Sequence, residues 1–158
     1  MEFKNIKLLI LDVDGTLTDG KIYMSECGEV VKVFNVKDGY AIKNILPKHN
    51  ILPVIITGRM SKILEKRCFE LDIKHTYQGI NDKLSKMEEL CKEFNIKMEQ
   101  IAYVGDDLND LECMQKVGFA ACPKDAAEQI KNIAHFVASK EGGNGAVREV
   151  IDKIIAEK

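Results

Sequence analysis

Three short runs of apolar residues, 8–11, 51–56 and 101–104, show no polar–apolar alternation, and each gives way abruptly to polar residues. A strand that is apolar at every position has to be covered on both faces. That requirement points to a parallel sheet buried between two layers of helices. The intervening segments supply the helices. Over 61–71, Ile63, Leu64, Cys68 and Leu71 fall on one helical face, and further helices are predicted over 38–46, 83–94, 108–116, 125–132 and 146–156. Shorter strands are predicted over 73–77, 118–122 and 134–138. Strands alternating with helices read as a Rossmann-like, doubly wound α/β fold.

The length, 158 residues, fits one domain with a proper core, and neither a repeat nor a low-complexity linker divides it. Residues 1–158 are therefore expected to form a single domain. One segment departs from the alternation. Residues 21–25 and 29–35 have strand character and flank Glu26-Cys27-Gly28, a plausible hairpin turn. This hairpin directly follows the first strand end, where it would lie over that end as a flap.

Composition excludes several classes. A net charge of −2 provides no general field for nucleic acid or an anionic membrane. The five cysteines are scattered without a CxxC pair, which argues against a zinc site or a disulfide framework and suits a reducing compartment. Asp12 interrupts the only early apolar run, so no signal-peptide pattern is present, and no run is long enough to span a bilayer. The expected location is the cytoplasm. His49, His75 and His135 have no ligand spacing, and Cys27 has no basic neighbour to activate it.

The polar residues that end the strands carry the chemistry. Asp12 and Asp14 follow the first strand, Thr57-Gly58-Arg59 the second, Lys83 lies after the next, and Gly105-Asp106-Asp107 follows the run at 101–104. In a parallel sheet these C-terminal ends share one edge, so groups distant in sequence converge there. Singly each signal is weak: a loop lysine is usually solvated, and Gly105-Asp106-Asp107 resembles an ordinary N-cap cluster. Together they suit phosphoryl transfer through a carboxyl phosphate. A magnesium ion would relieve the repulsion between an attacking carboxylate and a phosphate, and needs only a few oxygen ligands. Thr57 would donate to a phosphate oxygen, Lys83 would stabilise developing charge, and a second carboxylate would move the proton.

In this order, Asp12-Val13-Asp14-Gly15-Thr16, Thr57-Gly58, Lys83 and Gly105-Asp106-Asp107 with Asp110 resemble the four motifs of the haloacid dehalogenase-like phosphatases across essentially the whole chain. The resemblance implies Asp12 as nucleophile, Asp14 as general acid/base, and Thr57 and Lys83 as phosphoryl ligands. It implies magnesium held by Asp12, the backbone carbonyl of Asp14, and Asp106, with Asp107 and Asp110 as supporting carboxylates. Relatives usually carry an inserted cap domain, but here the insert points have room only for a hairpin, or for one helix and a strand. A capless site has to be covered by the hairpin, by the C-terminal loop or by another subunit.

Finer matches are Asp19-Gly20, Phe34-Asn35-Val36-Lys37-Asp38-Gly39-Tyr40, Ile55-Ile56-Thr57-Gly58-Arg59, Tyr77-Gln78-Gly79 with Asp82-Lys83, and Gly142-Gly143-Asn144-Gly145-Ala146-Val147-Arg148-Glu149. They resemble the small phosphatases of 3-deoxy-D-manno-octulosonate 8-phosphate (Kdo 8-phosphate), a sugar acid phosphate made for lipopolysaccharide. That resemblance implies a homotetramer. Arg59, next to Gly58, is placed where a guanidinium would meet the substrate carboxylate. Arg67 would serve the same surface or a neighbouring subunit, and Arg148 would bind substrate or lock the tail. Phosphatases of nine-carbon acids, such as 2-keto-3-deoxy-nononate 9-phosphate or N-acetylneuraminate 9-phosphate, tend to have an acidic residue in place of Arg59. A nine-carbon substrate, a mutase and a non-catalytic binding module associated with sialic acid activation are the alternatives.

Overall fold

The computed structural model describes residues 2–158. In chain order the regular elements are β1 (Leu8–Leu11), β2 (Tyr23–Ser25), β3 (Gly28–Val31), α1 (Val36–Tyr40), β4 (Leu52–Ile56), α2 (Lys62–Glu70), β5 (His75–Tyr77), α3 (Lys83–Glu93), β6 (Ile101–Val104), α4 (Leu111–Met114), β7 (Phe119–Cys122), α5 (Glu128–Ile133), β8 (Phe136–Val137) and α6 (Ala146–Glu157). A six-stranded sheet has the order β5-β4-β1-β6-β7-β8, with every pairing parallel. The chain winds outward from β1 through β4 to β5, returns to β6 beside β1, and continues to β8. The reversal creates a crevice outside the strand ends at β1, the place where ligands bind in such sheets.

Burial explains the unbroken apolar runs. Leu9 and Leu11 pack on one face with Leu64 and Cys68 of α2 and Val147, Val150, Ile151 and Ile154 of α6. Leu8 and Ile10 pack on the other with Met87 and Leu90 of α3, Cys113 of α4 and Ile130 of α5. Among the described residues no cap domain intervenes: only the β2–β3 hairpin stands between β1 and α1. No described helix is long and apolar enough to cross a membrane.

Local departures from the expected elements have local causes. The helix expected over 38–46 starts earlier, because the Asn35 side chain caps it by accepting from the Lys37 N–H. Beyond Tyr40 it widens into a π-helical turn, Ala41–Ile45, and then tightens into a 3-10 turn, Leu46–His49. Pro47 sits in the first turn of that last segment, where its missing N–H costs nothing. The helix expected over 108–116 divides into a 3-10 turn, Leu108–Asp110, and the short α4. Here the carboxylate of Asp110 accepts the backbone N–H groups of Asp106 and Asp107 and so binds the turn to the preceding strand end.

The C-terminal loop lies directly on the segment that leaves β1. Gly143 N–H donates to the Thr16 carbonyl at 3.1 Å. A Cβ added at Gly142 would stand 1.9 Å from the Gly15 carbonyl oxygen. The loop is held from behind by Asp38, which is 1% exposed and accepts the Arg148 N–H at 2.7 Å. Asp38 thereby caps α6 from a distance, since its N-cap residue, Gly145, contributes no side chain. Arg148 turns its guanidinium to Asp152 and over the Tyr40 ring, a tail-locking position. The substitution Gly142→Ala is expected to overpack this contact, lowering stability by about 1–3 kcal/mol in denaturant titration. A change within 0.5 kcal/mol would mean that the loop is not held against Gly15.

Candidate active site

The ends of β1, β4 and β6, with the start of α3, bring the expected residues together. A cavity of about 150 Å³ is lined by Asp12, Asp14, Thr57, Gly58, Arg59, Asp106, Asp107 and Asn109. Lys83 opens α3 behind it and is buried, its chain direction set by Asp82, which caps the helix through the Ser85 N–H. Lys83 Nζ donates to Asp12 Oδ1 at 2.6 Å and to Asp110 Oδ1 at 2.7 Å. Burial pulls the lysine pKa down, but the two carboxylates outweigh it and hold the ammonium above the ordinary lysine value.

Asp110 is saturated. Besides Lys83 it accepts the Tyr103 hydroxyl at 2.8 Å and the Asp106 N–H at 3.1 Å. It therefore orients Lys83 rather than facing the cavity. Asp106 accepts the Thr16 hydroxyl at 3.1 Å. Gly15 makes room for it, since its backbone is left-handed (φ +94°) and a Cβ there would stand 2.0 Å from Asp106 Oδ2. Thr57 is fixed at the end of β4 by its N–H to Tyr77 O (3.0 Å) and its carbonyl to Ile80 N (3.1 Å). Asp107 is exposed and accepts its hydrogen bond from the Leu108 N–H, as a cap.

The hairpin reaches the same place. Lys32, just past β3, pairs with Asp14 and lies 3.0 Å from Glu29 Oε1. Glu29 also accepts the Ser61 hydroxyl at 2.5 Å. Arg59 joins from below, 3.9 Å from Asp14 Oδ2 and 3.5 Å from Glu29 Oε1. Arg67 does not join them: it lies over the Phe34 ring and pairs with Glu70, because its helical turn faces the hairpin exit and not the strand ends.

Sequence reasoning missed Glu29, Lys32, Tyr103 and Asp38. Only Tyr103 left a signal, as a hydroxyl-bearing residue within a wholly buried aliphatic strand that must find a partner.

Electrostatically the site is short of positive charge. Oxygens of Asp12, Asp106 and Asp110 lie within 4.8 Å of one another. Burial, and then the charges of Asp12 and Asp110, push Asp106 up to about 8. Burial and Asp110 push Asp12 up to about 6 against the pull of Lys83. With Asp110 saturated, Asp12 and Asp106 remain as hard oxygen donors in want of a cation, a set that suits magnesium.

A profile of the haloacid dehalogenase-like hydrolases matches residues 76–151. The Kdo 8-phosphate phosphatase of Salmonella typhi is 49% identical over 152 residues, covering 96% of this chain and 80% of that protein. The chain belongs to the Kdo 8-phosphate phosphatase family of haloacid dehalogenase-like hydrolases. The crystal structure of the Yersinia pestis family member superposes with a TM-score of 0.94 at 47% identity, covering 99% of this chain and 84% of that one. That of the Moraxella catarrhalis Kdo 8-phosphate phosphatase, in complex with magnesium, phosphate and Kdo, gives 0.94 at 39% identity, over 99% and 90%. As a family member the chain is a phosphoric monoester hydrolase that works with magnesium, as its oxygen donor set fits.

The raised carboxyl values set a pH dependence. Asp12 and Asp106 bind protons more tightly in the folded chain than at the unfolded value of 3.8. Without metal, their stabilising effect is complete below about pH 4 and is lost as pH rises through 6 and then 8. In thermal denaturation with chelator, stability is expected to fall between pH 5 and pH 8. Magnesium, which competes with those protons, should restore more at pH 8, about 2.7 kcal/mol at a hundredfold excess over its Kd. A magnesium effect as large at pH 5 would mean that the ion does not bind these carboxylates.

Proposed function

We propose that this chain hydrolyses Kdo 8-phosphate to Kdo and inorganic phosphate through a phosphoryl group carried on Asp12. The observation that carries the reading is the buried Asp12–Lys83–Asp110 cluster at the mouth of β1, with Asp14, Thr57 and Asp106 around one small cavity. Magnesium would be held by Asp12, Asp106 and the backbone carbonyl of Asp14, and would supply positive charge that offsets the repulsion between carboxylate and phosphate. Every other task falls to the protein's own side chains and backbone.

Asp12 is the nucleophile. Lys83 fixes its Oδ1 by a 2.6 Å bond, so the carboxylate is aimed before substrate arrives. As the Asp12 oxygen bonds to phosphorus, the bond from phosphorus to the sugar oxygen breaks, and Asp14 gives that oxygen its proton. Asp14 then takes a proton from water, whose oxygen attacks phosphorus and returns Asp12 as a carboxylate. Thr57, the Gly58 backbone and Lys83 hold the phosphoryl oxygens, and Asp107 and Asp110 support the loop and the lysine. Arg59, at the rim of the same cavity, meets the carboxylate of the sugar acid, the feature that separates this substrate from plain sugar phosphates.

Four copies of the chain complete the site in this reading. Met24, Val30, Val33 and Val36 leave an exposed apolar stripe along the hairpin and its exit, with Val36 77% exposed, and a second copy would cover it. Arg67, near the hairpin exit, then serves the contact between copies. The scattered, unpaired cysteines support a cytoplasmic setting.

Phosphate release is expected from Kdo 8-phosphate with magnesium, to be abolished by chelator and to exceed release from N-acetylneuraminate 9-phosphate and from plain sugar phosphates. Preference for the nine-carbon acid would overturn the substrate. The substitution Asp12→Asn should lower kcat by at least about a thousandfold while the fold persists by circular dichroism. Substantial residual turnover would rule out the covalent route. Sedimentation velocity should give four protomer masses for the native chain and less for Val30→Glu. A native monomer would refute the assembly.

A further inference from the structure

The hairpin and the sheet are joined by four alternating charges that close on themselves. Asp14 pairs with Lys32, Lys32 with Glu29, Glu29 with Arg59, and Arg59 returns to Asp14. Two members, Glu29 and Lys32, come from the flap, and two, Asp14 and Arg59, come from the strand ends. The ring is asymmetric. Lys32 stands at 3.0 Å from Glu29, whereas Arg59 keeps longer separations of 3.5 and 3.9 Å from its two carboxylates. The Nη1 of Arg59 is shielded from solvent and has no protein acceptor within hydrogen-bond distance. A buried donor left without an acceptor costs about 1–3 kcal/mol. The arrangement is therefore one that a ligand oxygen at Nη1 would relieve.

Glu29 is the carboxylate nearest that guanidinium, its Oε1 3.5 Å from Arg59 Nη2 and itself without a hydrogen-bond donor. Its Oε2 accepts the Ser61 hydroxyl at 2.5 Å, and Ser61 is itself fixed as the N-cap of α2, through its side chain to the Leu64 N–H and through its own N–H to Gln78 Oε1. Partial burial works against the charge of Glu29, but the bond from Ser61 and the Lys32 ammonium outweigh it and hold its carboxyl below the usual range. The carboxylate is thus a fixed anion, anchored to the sheet through α2 although its backbone belongs to the flap. It takes the Nη2 side of the guanidinium and leaves Nη1 beside Asp14.

We propose that Glu29 is a positioning residue for substrate selection: by holding Arg59 on one side, it presents the free Nη1 to the carboxylate of a sugar acid phosphate. The inference rests on the reading of Arg59 given above and extends it to a residue of the flap. Glu29 touches no reacting atom and reaches the substrate carboxylate through Arg59, while its pairing with Lys32 seats the flap. Selection of an acidic substrate therefore depends on the flap being seated, because Glu29 and Lys32 leave the site together. A phosphate ester without a carboxylate has no use for Nη1 and gains nothing from the alignment.

The test is a double-substitution cycle on the full chain with magnesium. It is read as the ratio of kcat/KM for Kdo 8-phosphate to that for p-nitrophenyl phosphate, a phosphate ester lacking a carboxylate. Glu29→Gln keeps the shape and can still accept from Ser61, but it removes the charge that orients Arg59. The ratio is expected to fall about tenfold, what loss of one charge-assisted hydrogen bond produces, chiefly through KM for the acidic substrate. In an Arg59→Ala background the same change should alter the ratio less than twofold. An unchanged ratio in the native background would overturn the proposal. So would an equal fall in the Arg59→Ala background, the result expected if the substitution merely unseated the flap. Native protein that releases phosphate from neither compound would instead refute the functional reading on which the inference stands.

Discussion

The buried ammonium of Lys83 is the interaction on which the site depends. It is shared between Asp12 and Asp110, at 2.6 and 2.7 Å, where almost no water reaches. Removing one partner from a buried pair of this kind costs about 3–5 kcal/mol, because the other charge is left uncompensated. Yet one cation cannot neutralise three neighbouring carboxylates. The excess negative charge appears as Asp12 and Asp106 pushed up to about 6 and 8. The same imbalance makes the site a receptor for a divalent cation and, once that is bound, for a phosphate. The fold holds this arrangement because its members stand on different rigid elements: β1, β6, the turn into α4 and the first turn of α3.

Around this centre the protein is arranged as a rigid floor and a charged flap. The floor is the sheet edge, reinforced from the C-terminus by the Gly142–Gly143 contact on the β1 loop and by the remote cap that Asp38 gives to α6. The flap is a small antiparallel pair whose apolar side chains are largely exposed and whose anchoring comes from Glu29 and Lys32. Packing fixes the floor, whereas ion pairs fix the flap, with the Lys32 side chain only 3% exposed between Asp14 and Glu29. Asp12, Thr57, Lys83 and Asp106 thus all stand on the packed floor, as does Arg59, whereas Glu29 and Lys32, which pair with Arg59 and Asp14, come from the flap.

Much of this was legible in the residues. Unbroken apolar runs ending in Asp, Thr-Gly and Gly-Asp required a parallel sheet with its polar groups on one edge, and the structure has that sheet, with all its pairings parallel. Helix boundaries were less legible. Around Pro47 and Asp110 the backbone adopts π and 3-10 turns in place of a continuous α-helix, and apolar periodicity does not distinguish these windings over a single turn. Glu29 and Lys32 left no signal, because a charged residue on a strand reads as solvated unless its cross-molecule partner is known. Arg67 illustrates the converse, since its type and spacing near the site said nothing of the direction its helical turn would face.

The sequence by itself determined the layered fold, the convergence of Asp12, Asp14, Thr57, Lys83 and Asp106, and the family. The fold and the convergence follow from periodicity and from the polarity of strand ends, both properties of local stretches of chain, and the family from the resemblance of the four motifs in their order. Only the tertiary structure decided which carboxylates are open and which are saturated, that Tyr103 supports Asp110, that Asp38 caps a helix beginning at Ala146, and that Arg59 stands 3.5 Å from an acid of the flap. Each of these is a contact between residues far apart in the chain. Its strength depends on how deeply the pair is buried and on which other charges lie within a few ångströms.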